Sequence, residues 1–318
     1  MSLPSRLRAS LGYLKRIVQY RSLATANLIQ ANLANVAVPL APEGNRIRCE
    51  GLGFSFDPKT HPFYLDRMVV ARDLVDGGHG TFGVDAREAP EFRAGPIRVA
   101  PAVRDDLIVL DEVFLRRMYD VFPNRDPFVI DIGMNVGLAS LFYAGIKGWE
   151  VLAYEPFSET FALAEANIAR SGLGDRIHAR NVGVAGEAGR REIAFHSESR
   201  ATNGLFGNLN GPRVGPDRTV EISLIDPDAV IAEALALAGD RPLLAKVDCE
   251  GAEYEILDRW AATGDMDRIP LLIVEYHLIL PEHDPDRLIA MLAERGYVVQ
   301  RLWSGPDAGG LFAIRASI

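Results

Sequence analysis

From Pro127 onward the chain alternates between short unbroken apolar runs and longer stretches in which apolar residues return every three or four positions. An unbroken run of this length predicts a strand buried on both faces, and the longer period predicts a helix packed along one side. PFVIDIG, EVLAYEP, IHARNVGVAG, LLAKVDCEG and PLLIVEYHL are the expected buried strands. Leu138 to Ile146, Ser158 to Gly172 and Glu253 to Ala261 are the expected helices between them. The second of these places Phe161, Ala164 and Ile168 on one face, with Ser158 as its expected cap. Asp226-Pro227 and Asp284-Pro285 each open a further helix by the acid-then-proline rule, and Gly239 and Gly296 close them. REIAFHS and VEISLID read as two more extended runs. YVVQRLW and LFAIRAS, around a Gly-rich turn, read as a closing hairpin whose last strand is antiparallel.

Such alternation predicts an α/β fold, a doubly wound and mostly parallel sheet covered on both faces. Ligands of open parallel sheets bind beyond the carboxyl ends of the strands. The positions of interest are therefore Asp131 to Gly137, Glu155, the stretch after Arg180, Asp248 to Gly251, and Glu275 to His277.

The first third of the chain has a different texture. Leu3, Leu7, Leu11, Leu14 and Val18 give residues 1–42 a helical period. Residues 43–105 hold short runs broken by Gly and Pro, among them IRCEGLGFSF, RMVVARDL and PIRVAPAV, which predict a small β-rich segment. DEVFLRRMYDVF, from Asp111 to Phe122, predicts a helix leading into the next unit. The expected division is thus an extension over 1–110 and a catalytic domain over 111–318.

Charge changes the picture in one place. The chain carries −9 overall, which argues against a nucleic-acid partner. Yet Arg6, Arg8, Lys15, Arg16 and Arg21 stand before the first acid, so the remainder carries −14. A basic amphipathic helix over residues 1–21 is a candidate for peripheral contact with an anionic membrane surface. No run is long and apolar enough to span a bilayer, and polar residues interrupt any signal-peptide core. Two cysteines, Cys49 and Cys249, support neither a disulfide framework nor a metal-type spacing, which fits a cytoplasmic setting.

The chemistry gathers at strand ends. Asp131, Gly133 and Gly137 give acid-x-Gly-x-x-x-Gly, with Asn135 where a dinucleotide turn wants its middle glycine. That turn suits a ligand without a pyrophosphate, whose amino-acid portion meets an acid and backbone groups. S-adenosylmethionine is such a ligand, with Asp131 as candidate for its ammonium, directly or through water. Glu155 follows at the end of the next strand, where a carboxylate accepts both hydroxyls of a ribose, and Pro156 stops the strand. KVDCEGAEYEIL then brings Asp248, Glu250 and Glu253 to the end of a further strand; helix N-termini attract acids, which explains some of them.

Taken together, VIDIGMNVG, YEPF, KVDCEGAEYEIL and IVEYH resemble the FkbM family of S-adenosylmethionine-dependent methyltransferases, over roughly residues 110–300. The resemblance implies a Rossmann-like, seven-stranded methyltransferase sheet and O-methylation, often of sugars or natural products. It implies that Asp131, Gly133, Asn135 and Gly137 form the cofactor loop, that Glu155 is the ribose acid, and that Asp248, Glu250 and Gly251 form the acid-rich segment. VEISLID, ending at Asp226, resembles the family's strand that ends in aspartate. NVGVAG offers no acid for the adenine amino group, which leaves Asn181, Val182 or backbone groups there.

For the proton of an acceptor hydroxyl, His277 is the first candidate base, with Glu275 two residues earlier on the same side of the strand. Asp248 is the second. Asp248 with Glu250 is also the candidate pair for a divalent ion. Ser197 to Thr219 is too long and too rich in Gly, Pro and Arg for an ordinary connection, and predicts a substrate lid with Arg200, Asn203 and Arg213 as acceptor contacts. The expected function is transfer of a methyl group to a hydroxyl of a glycan or glycosylated metabolite. The alternatives are a catalytically silent binding module on the same fold and an NAD-dependent oxidoreductase, the latter disfavoured by Asn135.

Overall fold

The computed structural model describes residues 38–197, 200–206 and 218–315. The helix expected near the start, with its basic segment, lies outside the described residues except for its last few positions. Contacts divide the chain into two units, 1–116 and 117–318. Among the described residues no helix is long and apolar enough to cross a membrane.

The first unit carries two antiparallel three-stranded sheets. One is β1 (Leu40–Glu43), β2 (Arg46–Cys49) and β3 (Phe54–Phe56); the other is β4 (Thr81–Val84), β5 (Pro90–Ala94) and β6 (Ile97–Val99). Between them runs α1 (Phe63–Asp76). RMVVARDL, expected as a strand, lies inside this helix. Its neighbourhood explains why: Tyr64, Leu65, Met68, Ala71 and Leu74 are all buried at helical spacing, and that period outweighs the strand preference of Val69-Val70. Phe54 meets Phe82 at 5.1 Å, and Phe92 meets Phe114 at 5.1 Å, so aromatic pairs supply much of this unit's core. The helix expected over 111–122 is shifted upstream. α2 (Arg104–Leu110) continues as one wide turn over Asp111–Leu115, closed by Arg116 N–H to Asp111 O, and left-handed Arg117 (φ 55°) ends it.

The second unit is a seven-stranded sheet. Its strands are β7 (Phe128–Ile132), β8 (Glu150–Tyr154), β9 (Ile177–Arg180), β13 (Leu243–Val247), β14 (Leu271–His277), β15 (Tyr297–Ser304) and β16 (Ala308–Arg315). They lie in the order β15-β16-β14-β13-β7-β8-β9. β7, β8, β9, β13 and β14 pair in parallel, while β16 runs antiparallel between β14 and β15. The helices are α3 (Leu138–Phe142, extended by a wide turn to Lys147), α4 (Ser158–Ser171), α5 (Pro227–Ala238), α6 (Glu253–Thr263) and α7 (Pro285–Glu294). Every residue of β7 and of β13 is buried, as double coverage requires. Trp260 of α6 is fully buried against one face, its Nε1 donating to Pro227 O at 2.9 Å; truncating such a side chain to alanine costs about 3–5 kcal/mol.

Two local expectations need correction. IHARNVGVAG is not one strand. β9 stops at Arg180, and Gly183–Val184 (β10) joins a separate sheet, β10-β12-β11, with β11 (Gly189–Phe195) and β12 (Arg218–Ile225). REIAFHS and VEISLID are the antiparallel pair of that smaller sheet. Ser158 does not cap α4: its hydroxyl donates to Asn181 Oδ1 at 2.8 Å, and the Phe157 N–H is met by Glu155 Oε1 instead. Asp226 and Asp284 do cap their helices, accepting from Ala229 N and Asp286 N.

Candidate active site

The turn after β7 is built from left-handed backbone: Gly133 (φ 83°), Asn135 (φ 53°) and Gly137 (φ 88°). A side chain at Gly133 would stand 1.7 Å from Asp248 O, so this position holds glycine for space as well as for conformation. At Gly137 the nearest neighbour, Ala164, is an ordinary 3.5 Å away, so only the backbone demands glycine. Asn135 tolerates the left-handed region, and its Oδ1 accepts from Val136 N at 2.7 Å. The N–H groups of Gly133 and Met134 both donate to Tyr154 O, which ties the turn to the end of β8.

Asp131 is fully buried and faces inward. Ser140 Oγ donates to its Oδ2 at 2.6 Å, and Lys246 Nζ stands 3.1 Å from its Oδ1. Ser140 and the Lys246 ammonium are thus the protein partners of the Asp131 carboxylate. Asp131 anchors Lys246. Lys246, also buried, donates to Gly133 O at 2.8 Å and pairs with Asp248 Oδ2 at 3.3 Å. Burial pulls its proton affinity down, but the Asp131 and Asp248 carboxylates outweigh burial and raise it, so the ammonium stays charged. One cation thus joins the glycine turn to the acidic strand end. The sequence signal for Lys246 is a lone lysine inside the buried run LLAKV, where an amine must have partners.

Glu155 closes the other side of the turn. Its Oε2 accepts from Asn135 N at 2.9 Å and its Oε1 from Phe157 N at 3.0 Å, which leaves lone pairs on both oxygens. Burial pushes its carboxyl up to about 7, against the pull of the two backbone N–H groups and Lys246. Asn181 folds back, its Nδ2 donating to Glu155 O and Pro156 O. Its amide is therefore spent on the strand end, which corrects the expectation that it meets an adenine. Half-buried Val182 packs against the sheet core.

The ends of β13 and β14 carry a different constellation. Tyr119 Oη donates to Asp248 Oδ2 at 2.9 Å and to Glu275 Oε2 at 3.2 Å. Nothing in the sequence marked Tyr119, which reaches its partners from a loop 129 residues away from Asp248. Glu253, fully buried at the start of α6, accepts from Gly251 N at 2.8 Å and from His277 N at 2.6 Å. It also stands 3.0 Å from His277 Nδ1. Glu253, not Glu275, is therefore the carboxylate that fixes the imidazole. His277 Nε2 turns toward Glu250 Oε1 at 3.6 Å and Glu275 Oε1 at 3.8 Å. Burial lowers the proton affinity of His277, but the Glu250, Glu253 and Asp248 carboxylates outweigh it and push the imidazole up to about 10. Asp248 is held below the ordinary carboxylate range: burial raises it, and the charges of Lys246 and His277 outweigh burial. Asp248, Glu250 and His277 each place one ligand-type atom within 4.8 Å of the others.

Only part of the long connection between β11 and β12 is described. Asn203 is buried, its side chain bonded to both the N–H and the carbonyl of His196, so it staples the loop and is not turned toward an acceptor. That corrects its expected role. Arg200 Nε donates to Ser197 O at 2.9 Å. Gly204 lies against the Glu250 turn, where an added Cβ would come within 2.3 Å of Glu250 O. Phe206 meets the His283 ring edge-on at 5.8 Å. Arg213 lies outside the described residues.

The strand order, the inserted antiparallel β16 and the glycine turn after β7 define a Rossmann-like methyltransferase fold. Residues 131–299, more than half of the chain, match the profile of the Methyltransferase FkbM domain, and the chain belongs to that family. Solved structures with a remote likeness include the METTL16 MTase domain (13% identity, 93% of this chain and 92% of that one, TM-score 0.40). Others are a human methyltransferase 10 domain containing protein (15%, 81% and 98%, 0.39) and TrmK of M. capricolum in complex with S-adenosyl-homocysteine (11%, 64% and 67%, 0.37). No curated protein matches the chain.

Proposed function

We propose that this methyltransferase uses S-adenosylmethionine to methylate a hydroxyl group of a glycan or glycosylated metabolite. The observation that carries the acceptor reading is the group of Asp248, Glu250, Glu275 and Tyr119 at the ends of β13 and β14, joined through Lys246 to the glycine turn. Carboxylates accept hydrogen bonds from hydroxyls, and several converging ones suit an acceptor rich in them. The residues around the turn fit the donor, because buried Glu155 still offers lone pairs beside backbone that glycine keeps bare.

When bound, the donor supplies a methyl group on a sulfonium, which is a good leaving group. Glu155 would accept the two ribose hydroxyls. The Gly133–Gly137 backbone would hold the amino-acid portion, and the backbone near Val182 would hold the base. Holding the acceptor oxygen in line supplies about 7–11 kcal/mol of the barrier reduction. A positioned proton acceptor adds about 100- to 10,000-fold. His277 is fixed at Nδ1 by Glu253 and Asp248 is paired with Lys246, so we assign that task to Glu275, oriented by Tyr119. The two free thiols favour a reducing compartment such as the cytoplasm.

The test is turnover with methyl-labelled donor over a panel of saccharide acceptors, for wild type and Glu275→Gln. Label appearing on a sugar hydroxyl, with at least a hundredfold loss in the variant, supports the proposal. Donor binding with no labelled saccharide would favour a silent binding module.

A further inference from the structure

We propose that Asp248, Glu250 and His277 form a binding site for one divalent transition-metal ion, which seats the acceptor's hydroxyl oxygens beside Glu275. The inference rests on the acceptor reading above for its purpose, but not for its geometry.

His277 is 2% exposed and held from behind, with Glu253 Oε1 taking both its backbone N–H and its Nδ1. A histidine fixed at Nδ1 by a buried carboxylate presents Nε2 as a directed donor atom, the arrangement found behind metal-bound imidazoles. Carboxylate oxygens of Glu250 and Glu275 stand 3.6 and 3.8 Å from Nε2. Those separations are too long for a hydrogen bond. The separation to Glu250 matches an edge of a coordination shell, since ligands about 2.0–2.2 Å from an ion lie roughly 3 to 4.4 Å from one another. The three ligand atoms fall within 4.8 Å of one another, so modest side-chain adjustment brings them onto one ion.

The donor set also selects the ion. Two carboxylates and one imidazole mix hard oxygen with nitrogen, which suits Mn²⁺, Fe²⁺ or Zn²⁺ better than Mg²⁺ or Ca²⁺. Coordination uses the neutral imidazole, so the ion takes the place of the Nε2 proton. Three protein ligands leave positions for two oxygens, and adjacent hydroxyls of a sugar ring supply such a pair. A hydroxyl bound to the ion gives up its proton more readily, and Glu275 stands beside His277 to receive it. Gly204 lies against Glu250, so the described part of the long loop already borders this site.

The experiment uses the full-length protein, stripped with chelator and dialysed. Manganese binding is read by loss of the free Mn²⁺ electron-paramagnetic signal and by calorimetry with MnCl₂. One Mn²⁺ per chain is expected, with affinity about tenfold or more weaker in Glu250→Gln and in His277→Gln. S-adenosylmethionine affinity, measured on the same samples, should be unchanged in Glu250→Gln, which shows that the variant is folded. Wild type that binds donor but no Mn²⁺, or Glu250→Gln binding Mn²⁺ as tightly as wild type, overturns the inference. Turnover that survives chelation, without Mn²⁺ binding, overturns it while leaving the methyltransferase reading intact. Mn²⁺ binding lost in the variants, with no saccharide methylated, upholds the metal site and removes the acceptor reading.

Discussion

The two halves of the site are made from different material. At the ends of β7 and β8 the structure is mostly backbone: three left-handed residues, N–H groups turned onto Tyr154 O, and one carboxylate that grips two further N–H groups. At the ends of β13 and β14 it is mostly side chain, with Asp248, Glu250, Glu253, Glu275, His277 and Tyr119 in contact. A half built from backbone conformation tolerates few residue types, and a half built from side chains depends on which charges neutralise which. Lys246 belongs to both, through Gly133 O on one side and Asp248 on the other.

The largest effect should come from crowding the seam between them. Gly133→Ala drives a Cβ into Asp248 O and should cost on the order of 5 kcal/mol or prevent folding, whereas Gly137→Ala meets no close neighbour and should cost about 1–2 kcal/mol. Denaturant titration of the two variants separates them, and equal losses would mean that the seam is not where the structure puts it. Next is Lys246→Met, which leaves Asp131 buried without its cation. A loss of about 3–5 kcal/mol is expected in the same assay.

A smaller effect, specific to the backbone half, is pH-dependent. The folded protein keeps a proton on Glu155 up to about pH 7, while the unfolded chain releases it near the ordinary glutamate value. The folded state binds more protons in that window, so Glu155 makes stability fall as pH rises toward 7 and level off above it. Donor affinity should move the opposite way, rising through the same window because the ionised carboxylate accepts both ribose hydroxyls. Glu155→Gln should flatten both slopes; affinity that ignores pH between 5 and 8 would remove Glu155 from the donor site. In the side-chain half, Glu253→Gln should leave donor affinity within about twofold while turnover falls about 10- to 100-fold, because His277 loses its support. The smallest effect is Asn203→Ala, about 1–2 kcal/mol from the unpaired His196 backbone, with donor affinity unchanged.

The same contrast explains what the sequence revealed. Buried parallel strands announce themselves as unbroken apolar runs, so the seven-stranded sheet and its closing hairpin were legible. The glycine turn and Glu155 were legible because a left-handed bend fixes residue types at fixed spacing. The side-chain half was legible only where its members share a segment, as Asp248, Glu250 and Glu253 do, or Glu275 and His277. Tyr119 joins them from a distant loop that no local pattern marks. Spacing placed Asp131 at the strand end but could not show that Lys246, from another strand, pairs with it. Asn181 and Asn203 were misread for a related reason: an amide in a loop reads as a ligand contact until its backbone partners are seen. RMVVARDL reads as strand through Val69-Val70, but the buried three- and four-residue period that contains them makes it helix.

The division of labour itself is tested most directly by calorimetric titration of S-adenosylmethionine into wild type, Glu155→Ala and Glu250→Gln. Binding abolished by the first substitution and preserved by the second is the predicted result. Donor binding that survives Glu155→Ala, or disappears with Glu250→Gln, would contradict it.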